Sequence, residues 1–328
     1  MSPPLETMSK QTYYFDATAA RTTSCGLKTL LAVVFGYRAK QNSADIEFGS
    51  AFHKFRKIMR ETGNMQPAMA AALKHMEDHK NCFVKKNKQK LMTKQYLMKV
   101  CLDWWEHYNP DSFKVLRVDP DTLELGTGDV GKPIFLEIKF DLPFYEDDNI
   151  KIVLCGTIDE IGKFHNGPYA IADAKTTGSY DAKDFFKDFE LSSQLMMYSW
   201  VIREYRRRFP DNPLCQIKFD IGVFIDGIFL GSEEEGAAFH RSQALFFSDD
   251  QLDEYEAIKK KEIFKLINNI KNLPTMPPRE GMFNGSCQGK YGRCDYFNYC
   301  ASNDPVVKEL TLKHQLKQVP YEPLKFGE

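Results

Sequence analysis

Two strand-like runs joined by a turn place the strongest limit on how this chain folds. Residues 151–161 and 169–175 are rich in β-formers, and the sequence HNGP lies between them at 165–168. Asn-Gly between such runs is a strong β-hairpin signal. The second run, YAIADAK, carries Asp173 and Lys175, which share one strand face because alternate side chains do. We therefore expect a hairpin whose buried second strand carries an acid and a lysine side by side.

The length of the hairpin loop decides which side chains meet. A three-residue loop at 165–167 pairs Asp159 with Asp173. A two-residue loop at 166–167 would pair Asp159 with Ala174 and send the two aspartates to opposite faces, because the side-chain period of a strand is two. We expect the three-residue or bulged loop, with its glycine at a positive φ.

Two acids beside a lysine would suit a metal-dependent phosphodiesterase. Magnesium prefers hard oxygen ligands and usually keeps some waters, so a second acid is needed beside Asp173. The helix after this strand carries Gln194 and Tyr198, four positions apart on one face, and an upstream helix offers His53. Singly, Asp159 fits an exposed hairpin acid and the helical residues fit a polar edge. Together, in this order, they predict a metal site.

The acid-x-lysine pattern also occurs elsewhere, in less suitable places. Asp181–Lys183 leads into a helix, and Asp78–Lys80 lies at a helix end beside His75 and His79, where exposed charge is normal. Glu137–Lys139 lies on a credible strand, but the chain continues into another strand rather than a helix. The copy at 173–175 is therefore preferred.

The order of predicted elements favours an α/β or α+β domain. Helical patterns at 16–38, 43–61, 66–79 and 84–108 precede short strand-like runs over 113–177, a long helix at 184–208, a strand at 215–226 and a helix at 250–272. Ser24 and Ser43 are candidate N-caps. We expect a flexible tail at 1–12, one elaborated domain at 13–300 and a C-terminal appendage at 301–328.

Composition gives no overall attraction for nucleic acid and no membrane segment. The 328 residues carry a net charge of -1, and 43% hydrophobic content supports a sizeable core. Basic clusters at 84–90 and 203–209 are more often solvated helix faces than binding sites. The start lacks the basic and apolar regions of a signal peptide. We expect a soluble, cytoplasmic protein.

The eight cysteines are unevenly distributed along the chain. Without a secretion signal, a disulfide framework is not expected. Four of them lie among apolar neighbours and fit ordinary buried thiols, namely Cys82, Cys101, Cys155 and Cys215. Cys287, Cys294 and Cys300 instead fall close together in CQGKYGRCDYFNYC and need a separate explanation.

Four motifs in order resemble those of a known nuclease superfamily. GSAFH at 49–53, GTID at 156–159, DAK at 173–175 and QLMMY at 194–198 resemble the PD-(D/E)XK superfamily, and more narrowly its RecB-type branch. The resemblance covers residues 25–300. It implies a restriction-endonuclease-like core with a central mixed sheet flanked by helices, an N-terminal helical region and a C-terminal cysteine loop.

The same resemblance implies roles for individual residues. Four groups would ligate magnesium or manganese: His53, Asp159, Asp173 and the carbonyl of Ala174. Lys175 would orient or activate the attacking water and offset charge on the phosphate. Gln194 and Tyr198 would position Lys175 or the DNA backbone. These roles agree with the chemistry of a metal that polarises a phosphodiester and lowers the pKa of its water.

One subset of this branch holds an iron–sulfur cluster with one early and three late cysteines. It includes CRISPR-associated RecB-like exonucleases, the AddB recombination subunit and mitochondrial exonuclease V. Cys25 with Cys287, Cys294 and Cys300 is similar to that layout and implies a 4Fe-4S cluster. The subset spaces its last three cysteines C-x2-C-x5-C, whereas this chain has C-x6-C-x5-C. Zinc would accept the same four thiolates.

The resemblance implies a metal-dependent DNA nuclease, an exonuclease on single-stranded ends in recombination, repair, replication or CRISPR-type processing. One alternative is a weakly or non-catalytic DNA-end-binding subunit of a larger nuclease–helicase complex, and another is an enzyme on RNA or small phosphodiesters. Lys85–Lys90, Trp104–Trp105 and Arg206–Arg208 are candidates for the DNA groove. No G-x-x-x-x-G-K-S/T motif is present, so any unwinding requires a helicase partner; an integrase-type partner is also expected.

Overall fold

The computed structural model describes most of the chain. The described residues are 10–20, 22–40, 43–83, 92–108, 113–118, 125–126, 135–178, 181–232, 235–273, 275–289 and 292–323. Within these ranges, no helix combines the length and the apolar character needed to cross a membrane.

Ten α-helices are assigned in the described ranges. They are α1 (Ala17–Ala20), α2 (Gly26–Thr29), α3 (Ala44–Thr62), α4 (Met65–Asp78), α5 (Lys94–Tyr108), α6 (Ala182–Glu190), α7 (Ser193–Arg208), α8 (Asp249–Lys271), α9 (Phe297–Ala301) and α10 (Pro305–Gln315). A π-helical turn, Leu30–Val34, continues α2.

The strands assigned in the same ranges are mostly short. They are β1 (Gln11–Phe15), β2 (Tyr37–Ala39), β3 (Phe113–Val115), β4 (Arg117–Val118), β5 (Leu125–Gly126), β6 (Leu136–Glu146), β7 (Ile150–Phe164), β8 (Tyr169–Thr177), β9 (Ile221–Leu230), β10 (Ala237–Arg241), β11 (Gln288–Gly289), β12 (Gly292–Arg293) and β13 (Leu316–Gln318).

The chain forms two compact units that interleave along the sequence. Unit 1 comprises residues 1–40, 139–157 and 253–328, and unit 2 comprises residues 41–138 and 158–252. Strand β7 runs from the first unit into the second. The segment expected as a C-terminal appendage contributes α10 and β13, and β13 pairs antiparallel with β2 inside unit 1.

Unit 2 carries the predicted hairpin in a mixed sheet. The end of β7 pairs antiparallel with β8 and with β3, whereas β8 pairs parallel with β9. Strand β10 then pairs antiparallel with β9. All ten residues of β9 are buried, which is the pattern of a strand covered on both faces. The α+β class with a mixed sheet is therefore confirmed.

Helix α3 supplies an apolar face to the core of unit 2. Its N-cap is Ser43, as predicted, because the Ser43 side chain accepts a hydrogen bond from Ile46 N at 3.3 Å. Phe48, Phe52 and Phe55 recur at three- and four-residue spacing and are fully buried with α4 and α5. The helix ends at Gly63, whose φ of 65° is the left-handed conformation that favours glycine.

Two predictions about helices are wrong. The pattern at 184–208 is not one helix, because the chain leaves the helical conformation at Leu191 and Ser192 between α6 and α7. The N-cap position of α2 is Cys25 rather than Ser24, with an extended backbone and no side-chain cap. The predicted helix at 84–108 begins, in the described residues, at Lys94.

Unit 1 joins the early and late parts of the chain. Strand β1 pairs parallel with the beginning of β7, from Gln11 opposite Ile150 to Phe15 opposite Leu154. Strand β6 also pairs with β7. The Tyr296 hydroxyl donates to the Tyr37 carbonyl at 2.5 Å. Residues near both ends of the sequence thus share one core.

Candidate functional site

The hairpin has the register that brings the two aspartates together. Glu160 pairs with Ala172 and Lys163 with Tyr169, so the same register places Asp159 opposite Asp173. Phe164 N donates to Pro168 O at 3.1 Å and closes a three-residue loop. The prediction of the loop length is therefore confirmed.

The conformation inside that loop differs from the prediction. Asn166, with a φ of 57°, takes the left-handed position rather than Gly167. Asparagine tolerates this conformation because its short polar side chain bonds locally. Gly167 is needed for space instead, since a Cβ there would lie 2.7 Å from Phe164 Cβ.

Asp173 and Lys175 lie in contact on one face of β8. Lys175 Nζ is 2.6 Å from Asp173 Oδ2. The Asp173 residue is only 1% exposed, and neither carboxylate oxygen has a hydrogen-bond partner of good geometry among the described residues. Burial raises the pKa of Asp173, and Asp159 raises it further, whereas Lys175 opposes both. Lys175 thus opposes the combined effect of burial and Asp159 on the pKa of Asp173 without overcoming it.

The charge of the Asp159 carboxylate is better compensated than that of Asp173. Its Oδ2 accepts a hydrogen bond from Ala174 N at 3.0 Å and lies 3.3 Å from Arg56 Nη1 and 3.6 Å from His53 Nδ1. Burial alone would raise the pKa of Asp159. The charges of His53, Arg56 and Lys175 outweigh that effect and, with the Ala174 N–H, hold the pKa below its usual range. The environments of the two aspartates thus push their pKa values apart.

A close approach of α3 to β8 delivers His53 to the aspartates. A Cβ on Gly49 would lie 2.8 Å from Thr176 Oγ1, so glycine lets the helix lie against the strand. His53 follows Gly49 by one helical turn and projects from the same face. The GSAFH motif therefore has a packing role at its first residue and a polar role at its last.

The sequence did not predict the two arginines that contact Asp159 and Glu160. Arg56 is buried and bridges consecutive carboxylates, with Nη1 3.3 Å from Asp159 and Nη2 3.0 Å from Glu160. Arg60 Nε lies 3.2 Å from the same Glu160 carboxylate, which is fully buried. Arg56 follows His53 by three residues, and Arg60 follows Arg56 by four. This helical spacing was the only sequence signal for the two arginines.

A second buried ion pair lies on the neighbouring strand and was also missed. Asp226 of β9, opposite Ala174, is fully buried. Arg241 donates to both of its carboxylate oxygens, at 2.7 and 3.2 Å. This fork geometry satisfies the Asp226 carboxylate, which distinguishes it from the Asp173 carboxylate.

Gln194 and Tyr198 meet at the beginning of α7. Gln194 Nε2 donates to the Tyr198 hydroxyl at 2.7 Å. Tyr198 is buried, whereas Gln194 is partly exposed. The predicted four-residue pairing is confirmed, while the role of the pair toward Lys175 stays a prediction.

Other sequence candidates take structural roles. Trp104 is fully buried among Phe52 and Phe55, so the prediction that it stacks on DNA is wrong. Arg207 and Arg208 pair with Glu204 at 3.0 and 3.1 Å. The basic run at 85–90 lies outside the described residues.

The alternative acid-x-lysine copies have simpler explanations. Asp181 caps α6 by accepting from Asp184 N at 3.0 Å. Glu137 pairs with Lys57 at 2.9 Å and is partly exposed. Neither acid has the buried, under-compensated setting of Asp173.

Four cysteines lie together in unit 1. Cys25 and Cys300 are buried in one cluster with Tyr296 and Leu316, and Cys294 packs against it. Cys82, Cys101, Cys155 and Cys215 are not members of this cluster.

Gly281 places Cys287 beside Cys25. A Cβ on Gly281 would lie 3.1 Å from Cys287 Sγ and 3.4 Å from Cys25 Cβ. The adjacent Glu280 accepts from Gly26 N at 2.9 Å, which fixes the late loop to the beginning of α2. A larger residue at 281 would push these two cysteines apart.

The four extra residues between Cys287 and Cys294 are accommodated by a small hairpin. Strands β11 and β12 pair Gln288 with Arg293, and Cys294 N donates to Cys287 O at 3.0 Å. The chain therefore leaves Cys287 and comes back to Cys294 at the same place. The longer first gap in the cysteine spacing does not separate its two cysteines.

The cysteine thiols affect one another's ionisation. Burial, followed by Cys25, Cys294 and Cys287, raises the pKa of Cys300 to about 11. Burial and Cys25 likewise raise the pKa of Cys287, which Lys28 opposes. Four thiolates would therefore repel strongly without a bound cation.

The described ranges hold one set of three potential ligand atoms within 4.8 Å of one another, from Glu47, His75 and His79. Neither the four cysteine sulfurs nor the ligand atoms of His53, Asp159 and Asp173 form such a set.

The sequence matches no protein-family model, and no curated protein is similar to it.

Proposed function

We propose that this chain is a metal-dependent nuclease that cleaves DNA phosphodiesters. The observation that carries the proposal is the buried carboxylate of Asp173. It lies opposite Asp159 and in contact with Lys175, yet neither of its oxygens has a well-formed hydrogen bond. A buried charge is costly unless it is paired and hydrogen-bonded. A divalent cation would supply the missing compensation.

The donor set suits magnesium or manganese. Carboxylate and carbonyl oxygens are the ligands these hard ions prefer. Ala174 N points toward Asp159. The N–H and C=O of one residue in an extended strand point to the same edge, so the Ala174 carbonyl faces that side as well. Asp159, Asp173 and this carbonyl would hold the ion, and His53 would be the nitrogen ligand.

A metal bound there would polarise the phosphodiester and lower the pKa of its water. Lys175 Nζ lies 2.6 Å from Asp173 Oδ2 and would hold that water in line while offsetting charge on the phosphate. Gln194 and Tyr198 would orient Lys175 or the DNA backbone. Arg56 would position Asp159 from behind without touching the substrate.

The finer parts of the proposal concern fold and substrate. We propose a restriction-endonuclease-like core and an exonuclease acting on single-stranded DNA ends. The hairpin, the parallel β8–β9 pair and the helix that follows support such a core. A helicase or integrase-type protein would be the partner.

We also propose a 4Fe-4S cluster at Cys25, Cys287, Cys294 and Cys300. Four thiolates without histidine are a usual ligand set for such a cluster. The order of one early and three late cysteines, which resembles that of the iron–sulfur subset, favours this cluster over zinc. The cluster would connect the beginning of α2 to the late loop. Anaerobically purified protein should be brown and contain about four irons per chain; colourless protein with one zinc would refute the iron assignment.

End-labelled substrates test the proposed activity. Single- and double-stranded DNA and RNA are incubated with the full chain and with magnesium, manganese or EDTA. We expect metal-dependent shortening of single-stranded DNA. Asp173→Asn and Lys175→Met should each lower the rate by about 10²–10⁴-fold.

Lys183→Met is the matched control for the lysine. Lys183 belongs to the exposed Asp181–Lys183 copy of the motif on α6. Its variant should retain full activity. Cleavage that persists equally in the Asp173 and Lys175 variants would overturn the proposal, and DNA binding without cleavage would favour the end-binding alternative.

A further inference from the structure

Three potential metal ligands converge between α3 and α4, away from the carboxylate site. Glu47 Oε2 lies 2.8 Å from His75 Nε2 and 3.8 Å from His79 Nε2. The three ligand atoms all lie within 4.8 Å of one another. For bonds of about 2.0–2.1 Å, tetrahedral zinc needs ligand atoms roughly 3.4 Å apart. Small side-chain rotations would bring all three atoms to that spacing.

The hydrogen bond of His79 leaves one ring nitrogen available for a metal. His79 Nδ1 lies 2.9 Å from the His75 carbonyl oxygen. A carbonyl only accepts, so Nδ1 carries the proton and Nε2 keeps its lone pair. Metal-binding histidines usually donate their other N–H in this way, which fixes the ring orientation. The Nε2 with the lone pair is the atom that faces Glu47.

His75 already contacts the acid of this group. Its Nε2 lies 2.8 Å from Glu47 Oε2, and both residues are buried. A cation bound between these two atoms would replace their hydrogen bond.

Access to the three residues comes from one side. Glu47 and His75 are 4% and 8% exposed, whereas the His79 side chain is 41% exposed. The His75 and His79 rings lie 4.2 Å apart at an angle of 30°, so both present to the same space. An ion could enter past His79 and still be largely enclosed.

We propose that Glu47, His75 and His79 form a binding site for one divalent transition-metal ion, with zinc as its preferred occupant. Two imidazoles and a carboxylate are ligands that zinc accepts, with a fourth position left for water. Magnesium, which prefers oxygen, would bind weakly here. His75 lies in the last turn of α4 and His79 is the C-cap residue that follows this helix, so the four-residue spacing brings both rings to the same end of α4.

This site is independent of the proposed nuclease centre but shares a helix with it. Glu47 and His53 are six residues apart on α3, about 9 Å of helical rise, and project from different sides of the helix. Zinc would join α3 to α4 and so hold in place the helix that bears His53. Its role would be structural support rather than chemistry on the phosphate.

Zinc titration of the full chain tests the inference. Wild type and Glu47→Gln are titrated with zinc chloride by calorimetry, and thermal midpoints are measured with and without the metal. Glutamine retains an oxygen that accepts from His75 but is a poor metal ligand. We expect Glu47→Gln to bind one zinc fewer per chain and to lose the zinc-dependent rise in midpoint. Wild type and Glu47→Gln both keep the four clustered cysteines. Any zinc bound by those cysteines therefore contributes equally to both titrations and does not affect the difference between them.

A second variant and a control complete the test. His79→Gln changes a half-exposed ligand and should also lose one zinc, so it decides the matter if Glu47→Gln does not fold. His314→Gln alters an exposed histidine of α10 and should bind as wild type does. Equal zinc binding and equal midpoint shifts in wild type and both ligand variants would overturn the proposal. Nuclease activity is not a readout, so its absence would leave this result standing.

Discussion

At the scale of single residues, Arg56 neutralises the charge at the base of the candidate site. It contacts Asp159 and the fully buried Glu160. Removing one partner of a buried pair leaves the other charge uncompensated. We expect Arg56→Ala to lower the free energy of unfolding by about 3–5 kcal/mol, measured by urea denaturation.

An exposed arginine of similar connectivity provides the comparison. Arg207 pairs with Glu204 at 3.0 Å, but its side chain is 66% exposed. Exposed pairs contribute about 0–1 kcal/mol, so Arg207→Ala should change stability by no more than that. Equal losses of unfolding free energy in Arg56→Ala and Arg207→Ala would contradict the larger contribution assigned to the Arg56 ion pairs.

Sequence reasoning could find the residues whose partners lie nearby in the chain. Strand alternation and loop length were enough to pair Asp159 with Asp173, and the four-residue rule was enough to pair Gln194 with Tyr198. Arg56 and Glu160 belong to a helix and a strand about a hundred positions apart. Their ion pair depends on how α3 packs, which local periodicity does not encode.

At the scale of elements, the approach of α3 to β8 depends on a missing methyl group. Gly49→Ala would place a Cβ 2.8 Å from Thr176 Oγ1. Overpacking costs about 1–3 kcal/mol, and the better helix propensity of alanine returns about 1 kcal/mol. We expect a net loss of roughly 0–2 kcal/mol in unfolding free energy, together with a lower rate of the proposed DNA cleavage because His53 moves.

A double variant separates the clash from other effects of the methyl group. Thr176→Ala removes the oxygen that the new Cβ would meet. In a double-mutant cycle, Gly49→Ala should then become neutral or stabilising. If Thr176→Ala does not reduce the loss of unfolding free energy caused by Gly49→Ala, the close approach of α3 to β8 is not the cause of that loss.

The turn between β6 and β7 makes the stability of unit 1 dependent on pH. Asp147 accepts hydrogen bonds from Asn149 N, Ile150 N and the Tyr145 hydroxyl. Its bond from Asn149 N, followed by those from Ile150 N and Tyr145, lowers the pKa of Asp147. The stabilisation is therefore full above the ordinary value of 3.8 and is lost as pH falls toward the lower folded-state pKa.

Comparison with Asp147→Ala isolates this contribution. The difference in unfolding free energy between wild type and variant should be largest near neutral pH and shrink between about pH 5 and pH 2. Asp147→Asn keeps the accepting oxygen but not the charge, so it should retain more stability than alanine. A difference that stays constant over that range would contradict the assignment.

Element boundaries were predictable where a side chain specifies them. Ser43 caps α3, and Asn-Gly marks the β7–β8 loop. The break between α6 and α7 was missed because Leu191 and Ser192 contain neither proline nor glycine and the apolar pattern continues across them.

At the scale of the whole molecule, the late helix and strand protect the cysteine cluster. Leu316 is buried with Cys25 and Cys300, and Leu312 packs against them. Burying a leucine contributes about 1.5–3 kcal/mol. Truncation before residue 305 should therefore raise the opening equilibrium, and hence the alkylation rates of Cys25 and Cys300, by roughly tenfold or more.

A cysteine of the other unit serves as the internal standard. Cys101 is fully buried in unit 2, and burial raises its pKa well above the usual range. Its alkylation, followed by mass spectrometry in the same sample, should not accelerate. Unchanged rates at Cys25 and Cys300 would show that α10 and β13 do not protect the cluster.

The division into units was not visible in the sequence. Composition and element order suggested one domain, because unit 1 is built from three segments that no linker separates. The grouping of one early and three late cysteines was suggested by resemblance.

The interleaving of the units has a consequence for the order of events during synthesis. The segments of unit 2 have all been translated by residue 252, whereas unit 1 waits for the segment that begins at residue 253. Strand β2 has no β13 to pair with until residue 316 has been made, and Cys25 has none of its three companions until residue 287. Domains fold as they emerge, so unit 2 can mature on the ribosome while β2 and Cys25 of unit 1 still lack the partners that are made later. The iron or zinc proposed for the four cysteines would therefore be acquired late, after the candidate catalytic residues have all been made.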